Sequence, residues 1–163
     1  MAATVQIVEK NGAGGTATDK TSGNIRFKNA DNATVDTANP LVKPGAGTDY
    51  SFEKWLRMNV TGGTYTEITN IKIYSDGSNG LGTGVNLYAK AVASYATPAE
   101  ATSTAGYTDF FTYNSGAALS LGAGPYTSTG EKGDHCVMIM TVGTTASGGV
   151  TPSETITLGW DEI

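Results

Sequence analysis

The sequence predicts an all-β protein, a β-sandwich or jelly roll of about eight to ten short antiparallel strands joined by long polar loops. Apolar residues recur at every second position in several short runs, which is the spacing of a strand with one buried face. Charged residues make up only 15% of the chain, and Thr, Ser, Asn and Gly replace them; β-branched Thr favours strands, whereas Gly disfavours helix interiors. Turn signals containing Gly or Pro separate the runs.

The first 23 residues are predicted to form an N-terminal arm, and residues 24–163 the sandwich domain. In the run 4–9, Val5 and Ile7 share one strand face and Val8 lies on the other. Residues 10–23 are rich in Gly, Thr and Ser, a composition that buries too little apolar surface to offset the entropy lost on ordering. We therefore expect a strand on a flexible connector that reaches away from the domain.

Residues 24–28 alternate Ile25 and Phe27 with polar neighbours, which predicts a half-buried strand. A long loop follows up to residue 47, because Pro40 and Pro44 each remove a backbone donor. Within it, residues 33–36 are predicted to form one short strand.

Residues 51–77 are predicted to form a bulged hairpin. One predicted strand face carries Phe52, Leu56, Met58 and Val60, and Lys54 is the only polar residue on it. Trp55 would lie on the opposite face. Helical spacing also relates Phe52, Trp55, Leu56 and Val60. The Gly62–Gly63 turn signal and the β-branched residues that follow favour strands. In the second strand, Ile68 differs in parity from Ile71 and Ile73, so a β-bulge is expected near Thr69–Asn70.

The remaining strands are predicted where apolar residues alternate. A single short helical turn is expected at residues 97–100, where Thr97 and Pro98 form a helix start. The run 134–142 is apolar on both faces, which places it in the middle of a sheet. The predicted strands of this half are 85–93, 107–113, 117–121, 134–142 and 154–163.

Charge and cysteine content exclude several functional classes. The net charge of −5 and pI near 4.7 argue against nucleic acid or an anionic membrane as partner. One cysteine excludes an intrachain disulfide framework and a cysteine-clustered zinc site, and we expect no cofactor. The N-terminus lacks the features of a secretory signal, and no run approaches the length of a membrane span, so the chain is expected to be soluble and made in the cytoplasm.

The sequence predicts no catalytic site. His135 is the only histidine, and its neighbour Cys136 would point to the opposite face of a strand, so the two cannot form a dyad. A Ser-His-Asp triad through His135 stays open, but no GxSxG motif accompanies it. His135 is expected at the rim of the sheet and Cys136 in the core.

Three segments carry a resemblance to a group of bacteriophage virion accessory proteins, which are small β-sandwiches on heads or tails. They are YSFEKWLRMNVTGGTYTEITNIKIYSDG (residues 50–77), YATPAEATS (residues 95–103) and ITLGWDE (residues 156–162). The pattern spans roughly residues 24–162. The resemblance implies a multi-copy capsid decoration or cement protein, located on the virion, whose partner is the major capsid protein or another virion protein. It transfers no catalytic residue.

The expected function is therefore that of a non-catalytic structural protein. Val5, Ile7 and Val8 of the predicted arm are candidates for partner contact, because a tethered strand could add to the sheet edge of a neighbouring subunit. Trp55 is the fourth candidate, since its parity opposite to its apolar neighbours predicts an exposed ring. An exposed Trp55 also supports the alternative function, a carbohydrate-binding or adhesive module.

Overall fold

The computed structural model describes residues 2–149 and 151–163, which form ten strands and one short 3₁₀ helix, Phe110–Thr112. The strands are β1 (Ala3–Asn11), β2 (Thr16–Asp19), β3 (Thr48–Tyr50), β4 (Lys54–Gly63), β5 (Ile68–Tyr74), β6 (Val85–Val92), β7 (Thr108–Asp109), β8 (Leu119–Gly122), β9 (Gly130–Gly143) and β10 (Thr157–Glu162). In the described residues, no helix is long and apolar enough to cross a bilayer.

The strands form two antiparallel sheets, which confirms the predicted all-β, sandwich-like fold class. The large sheet has the order β2-β1-β4-β9-β6-β7, and β3 also pairs with β9. The small sheet has the order β10-β5-β8. Every pairing is antiparallel.

Strand β9 lies in the middle of the large sheet, as its apolar sequence predicts. It pairs with β4 on one side and with β6 on the other, and every residue from 135 to 142 is buried. Cys136 and Met138 lie on the face that joins the main apolar core. His135 and Val137 therefore point to the opposite face.

The main core lies between the small sheet and one face of the large sheet, which we call the core face. Its buried side chains come from β4, β5, β6, β8 and β9, from the 3₁₀ helix and from two loop residues, Leu81 and Ala146. The largest that are fully buried are Leu56, Met58, Ile68, Ile71, Ile73, Phe110, Leu121 and Met138. Burial of apolar area at this interface is the principal force that holds the two sheets together.

The opposite face of the large sheet is covered by the loop of residues 93–107. Glu53 N donates to Ala99 O at 2.9 Å, and Ala101 N donates to Ser51 O at 3.1 Å. Tyr107 of this loop donates its hydroxyl to Glu53 Oε1 at 2.6 Å. A second layer therefore shields the sheet, which explains why β9 is buried on both faces.

The predicted hairpin of residues 51–77 is wrong as a pairing, although both of its strands exist. Strand β4 pairs with β1 and β9, so it has no free edge for β5, and the chain crosses to the small sheet instead. The predicted bulge is present: between β10 and β5 the register shifts opposite Asn70, whose φ is 52°. Gly63, with φ 103°, ends β4 where its α-carbon lies directly against the backbone of Ala2 and Ala3.

The predicted detached arm is also corrected by the structure. Strand β1 lies inside the large sheet between β2 and β4, and residues 10–23 supply β2 and a tight turn rather than a flexible connector. The period-two pattern of β1 gives the reason, because Ile7 pairs opposite the buried Met58 and shares its face.

Three smaller predictions differ as well. Residues 24–28 and 33–36 form no strands; Ile25 and Phe27 instead pack onto the apolar core. Residues 97–100 form no helical turn, because Glu100 makes a β-bridge to Phe52. In the run 107–113, only residues 108–109 are a strand before the 3₁₀ helix begins.

Candidate functional site

A groove of about 720 Å³ opens on the core face, where the small sheet does not cover the large one. Its floor consists of apolar side chains of β6 and β9, among them Leu87, Met140 and Val142. One wall is the segment 20–43, and the other consists of residues 146–149 and 151–156. Ligand sites in proteins typically occupy about 300–1,000 Å³, so the groove is large enough to hold a ligand or a peptide segment.

Two buried lysines hold the first wall in place. Lys20 donates from Nζ to the carbonyl oxygen of Ala33 at 2.5 Å, and Lys28 donates to that of Thr34 at 3.0 Å. The tripeptide 25–27 lies between these two lysines and lines the groove. The wall is therefore held by hydrogen bonds from lysine ammonium groups to backbone carbonyls. In a strand, backbone hydrogen bonds to a neighbouring strand would serve this purpose.

A third lysine connects the same wall to the large sheet. Lys54 donates to the carbonyl oxygen of Asn32 at 2.7 Å and to Glu9 Oε1 at 2.9 Å. The Lys54 and Glu9 side chains are 1% and 0% exposed, and Lys20 Nζ lies 3.7 Å from Glu9 Oε2. Three successive carbonyl groups, those of residues 32–34, thus each accept from a different lysine. We call Glu9, Lys20, Lys28 and Lys54 the lysine cluster.

Asp31 and Asp36 complete the fixation of this wall. Asp31 accepts from Asn11 Nδ2 at 2.9 Å and from the amide of Gly12 at 2.8 Å, which joins it to the β1–β2 turn. Asp36 Oδ1 lies 2.9 Å from Lys28 Nζ. This hydrogen bond from Lys28 holds the pKa of Asp36 below its ordinary value.

The backbone along parts of both walls makes no sheet pairing. Residues 24–28 and 151–156 belong to no strand, and among the described residues no backbone–backbone hydrogen bond involves residues 25–27 or 151–156. Their amide and carbonyl groups can therefore pair with an inserted chain.

The charge of the groove is opposite to that of the whole protein. The lining contains Lys20, Arg26 and Lys43 but one acidic residue, Glu154, among its described members. The full chain has fifteen acidic residues and ten basic ones. A carboxylate would thus be attracted to this groove more than to the rest of the surface.

The structure separates the predicted contact residues. Val5, Ile7 and Val8 all lie in β1, where Val8 is buried and the other two are half-buried. Ile7 lines the groove. None of the three belongs to a detached arm, so their proposed contact by strand exchange would require removing β1 from the sheet.

Trp55 is not the exposed ring that its parity predicts. It does lie on the face opposite the main core, but it is only 3% exposed. Its ring packs against Tyr95 and His135 at centroid distances of 5.3 and 5.4 Å, and its Nε1 donates to Glu53 at 3.0 Å. Every described Trp, Tyr and Phe is at least partly buried.

The two groups most suited to catalysis are enclosed by the fold. His135 is buried rather than at the rim, and burial together with the charge of Arg57 lowers its pKa. Burial raises the pKa of the Cys136 thiol well above its ordinary range, and this residue is in the core as expected. Among the described residues, no group of three or more His, Cys, Asp or Glu side chains is placed to hold a metal ion.

A network of ion pairs lies beside the rings of Trp55, Tyr95 and His135. Glu131 accepts from Lys10 at 2.7 Å and from Arg57 at 3.1 Å. Burial alone would raise the pKa of Glu131, but these two cations outweigh it and hold the pKa below its ordinary value. The network joins β1, β4 and β9 across the sheet. The charges of Lys10, Arg57 and Glu131 are all paired within it.

Sequence reasoning missed the groove and the lysine cluster. One signal for the cluster was present: Lys54 interrupts the apolar parity of β4. A buried lysine requires a partner, but nothing in the sequence identifies Glu9, forty-five residues away, as that partner. Comparison with models of known protein families, with curated proteins and with solved structures gave no match.

Proposed function

We propose that this chain is a non-catalytic structural protein that attaches to a bacteriophage particle, as a capsid decoration or cement protein, through protein–protein contacts. One expectation and one structural feature support the proposal. The expectation is the sequence resemblance to phage virion accessory proteins over roughly residues 24–162, and the feature is a groove with an apolar floor and a firmly held wall.

The groove is the observation that carries the proposal. A groove with an apolar floor and polar walls is typical of a binding site. The lysine cluster fixes the segment 20–36 before any partner arrives, so docking would cost little additional ordering entropy. The groove holds no nucleophile paired with a base in the described lining, and this chemistry suits binding rather than catalysis.

A particle protein of this kind should be present in many copies on the outer surface. The test is quantitative mass spectrometry of virions purified from cultures that express the gene, together with immunogold electron microscopy. We expect a fixed ratio of this chain to the major capsid protein and gold particles on the outside of the particle.

A deletion phage provides the second arm of the test. Particles that lack this chain should bind the purified protein until saturation. If the chain stays in the unattached fraction in both experiments, the proposed function is wrong. Release of the protein from particles by soluble glycans would favour the adhesive alternative instead.

A further inference from the structure

We propose that the groove binds one extended peptide segment of a partner protein, carrying apolar side chains and at least one carboxylate. This inference rests on the proposed function, because it specifies the chemistry of the docking surface that the function requires. The partner is a different protein, and its segment would lie between the wall of residues 20–43 and the wall of residues 146–149 and 151–156.

The walls favour a peptide over another apolar ligand. Residues 25–27 and 151–156 make no backbone–backbone hydrogen bond within the described chain. An extended peptide can pair with such groups through its own amides and carbonyls, while its side chains pack over the largely covered floor at Leu87 and Met140. A fatty acid would fill the apolar volume but could not donate to the wall carbonyls.

The distribution of cations favours an acidic segment. Six of the ten Lys and Arg residues form ion pairs: Lys10, Lys20, Lys28, Lys54, Arg57 and Lys90. Of the other four, Arg26 and Lys43 line the groove, whereas Lys72 and Lys132 lie outside it. Half of the cations that have no ion pair among the described residues are therefore concentrated at one site.

Arg26 is the residue most suited to receive a carboxylate. Its Nε is buried and has no hydrogen-bond acceptor among the described residues, and leaving such a donor unsatisfied is costly. Its charge is close enough to Asp36 to lower the pKa of that carboxyl, but the two make no ion pair. A modest rotation of the guanidinium toward the groove would allow a charge-assisted bond to the incoming segment.

The test is selection of a displayed library of random peptides on the intact protein, with two charge-reversal variants as counter-targets. The groove variant is R26E with K43E, and the matched control is K72E with K132E. Both change the net charge from −5 to −9, because each substitution subtracts two charges from the value of −5. Circular dichroism and thermal unfolding establish that each variant is folded; R26Q with K43Q replaces the groove variant if it is not.

We expect selection to enrich peptides with alternating apolar residues and Asp or Glu. Their affinity should fall by roughly tenfold or more in the groove variant and stay within about twofold of wild type in the control. A Thr151→Trp variant, which places a large side chain on the groove wall, should also weaken binding. Peptides in which Lys replaces the acidic residues should bind the groove variant better than the wild type.

Three results would overturn the inference. One is the absence of any enriched peptide, another is equal loss of affinity in both charge variants, and the third is binding of palmitate at the groove without selection of peptides. Failure here differs from failure of the proposed function. If the groove variant still saturates deletion-phage particles, the virion role stands and the groove is not its docking surface. If the chain binds peptides but is absent from virions, the virion role is refuted and the peptide site stands.

Discussion

The centre of the large sheet and the segment 20–47 are both well fixed, but by different forces. Strands β4, β9 and β6 pair along most of their length, with one register shift between β4 and β9. Apart from Lys54, the buried side chains on their core face are apolar. The segment 20–47 contains no strand and is held by three buried ammonium groups that bind consecutive carbonyls. The first arrangement distributes stability over many contacts, whereas the second concentrates it in a few charges.

This difference determines how each region responds to substitution. Removing one apolar side chain from the sheet leaves the neighbouring ladders intact. Removing the charge of Lys54 leaves the buried Glu9 carboxylate with only Lys20, whose Nζ lies 3.7 Å away. The loss of such a buried partner costs more than the pair contributes in net stability. We therefore expect the strongest single-residue effects in the cluster, although the sheet contains most of the buried apolar area.

The largest effect is expected for Lys54→Met. Glu9 would lose its closest cation while staying fully buried, and breaking a buried pair in this way typically costs about 3–5 kcal/mol. Urea unfolding followed by tryptophan fluorescence measures the change. The control is the triple variant Glu9→Leu, Lys20→Met and Lys54→Met, which leaves neither Glu9 nor Lys20 as an unpaired buried charge and should recover part of the loss; a triple variant less stable than Lys54→Met alone would contradict this account.

A somewhat smaller effect is expected for Met138→Ala in the centre of the sheet. Met138 is fully buried, and truncation of a buried Met to Ala costs about 2–5 kcal/mol through lost transfer energy and a residual cavity. Met138→Leu, which nearly preserves volume, should cost less than about 1.5 kcal/mol. If both variants were equally destabilised in urea unfolding, volume would not be the cause.

The same contrast explains how much the sequence predicts. The central strand β9 is predicted well because its apolar residues occupy both faces, a pattern that few other structures satisfy. The segment 24–28 is predicted wrongly as a strand, because alternation of Ile25 and Phe27 records only which side chains are buried. It does not record whether the backbone pairs with a neighbouring strand. Residues 25–27 make no such pairing, and the flanking Lys20 and Lys28 side chains anchor the segment by binding the carbonyls of Ala33 and Thr34.

Trp55 and the groove show a similar limit. Strand parity places Trp55 on the correct face but carries no information about a loop, residues 93–107, that covers this face. The groove is formed by two loops distant in sequence, so its existence depends on where the small sheet ends. Local patterns therefore predict elements and their faces, whereas coverage of those faces is a property of the assembled chain.

A smaller and local effect is expected for Lys28→Met. The substitution removes the donor to Thr34 but leaves no buried carboxylate, because the Asp36 side chain is 39% exposed. We expect a loss of about 1–3 kcal/mol in the local stability of the segment 20–47. Limited proteolysis should show faster cleavage within this segment while the tryptophan unfolding midpoint changes little; a matching loss at the midpoint would show that the segment does not open independently.

Strong acid should open the same segment locally, through Asp36. The folded-state pKa of Asp36 is lowered by Lys28, so its contribution to stability is complete above the unfolded value of about 3.9 and is lost as the pH falls through the folded value. The protection of the amides of residues 33–38 against hydrogen exchange, measured relative to the intrinsic rate at each pH, should therefore fall below about pH 4. Asp36→Asn should remove this pH dependence, because protection of these amides should then be low at every pH.

The smallest effect is expected from His135, which gives the centre of the sheet a different pH window. Its folded-state pKa is lowered by burial and by Arg57, and Lys10 and Glu131 also face it. Since the unfolded chain takes up the proton at about pH 6.5, the unfolded state binds more protons just below that value, and global stability decreases as the pH falls from about 6.5 through the folded pKa. Urea unfolding at pH 7.5 and 5.5 should show this decrease in the wild type and a smaller one in His135→Gln. Asp36 titrates below this pH range and does not contribute to the decrease. An equal decrease in the free energy of unfolding of the wild type and His135→Gln would assign the effect to other groups. It would also mean that the buried imidazole accepts its proton without opening the fold.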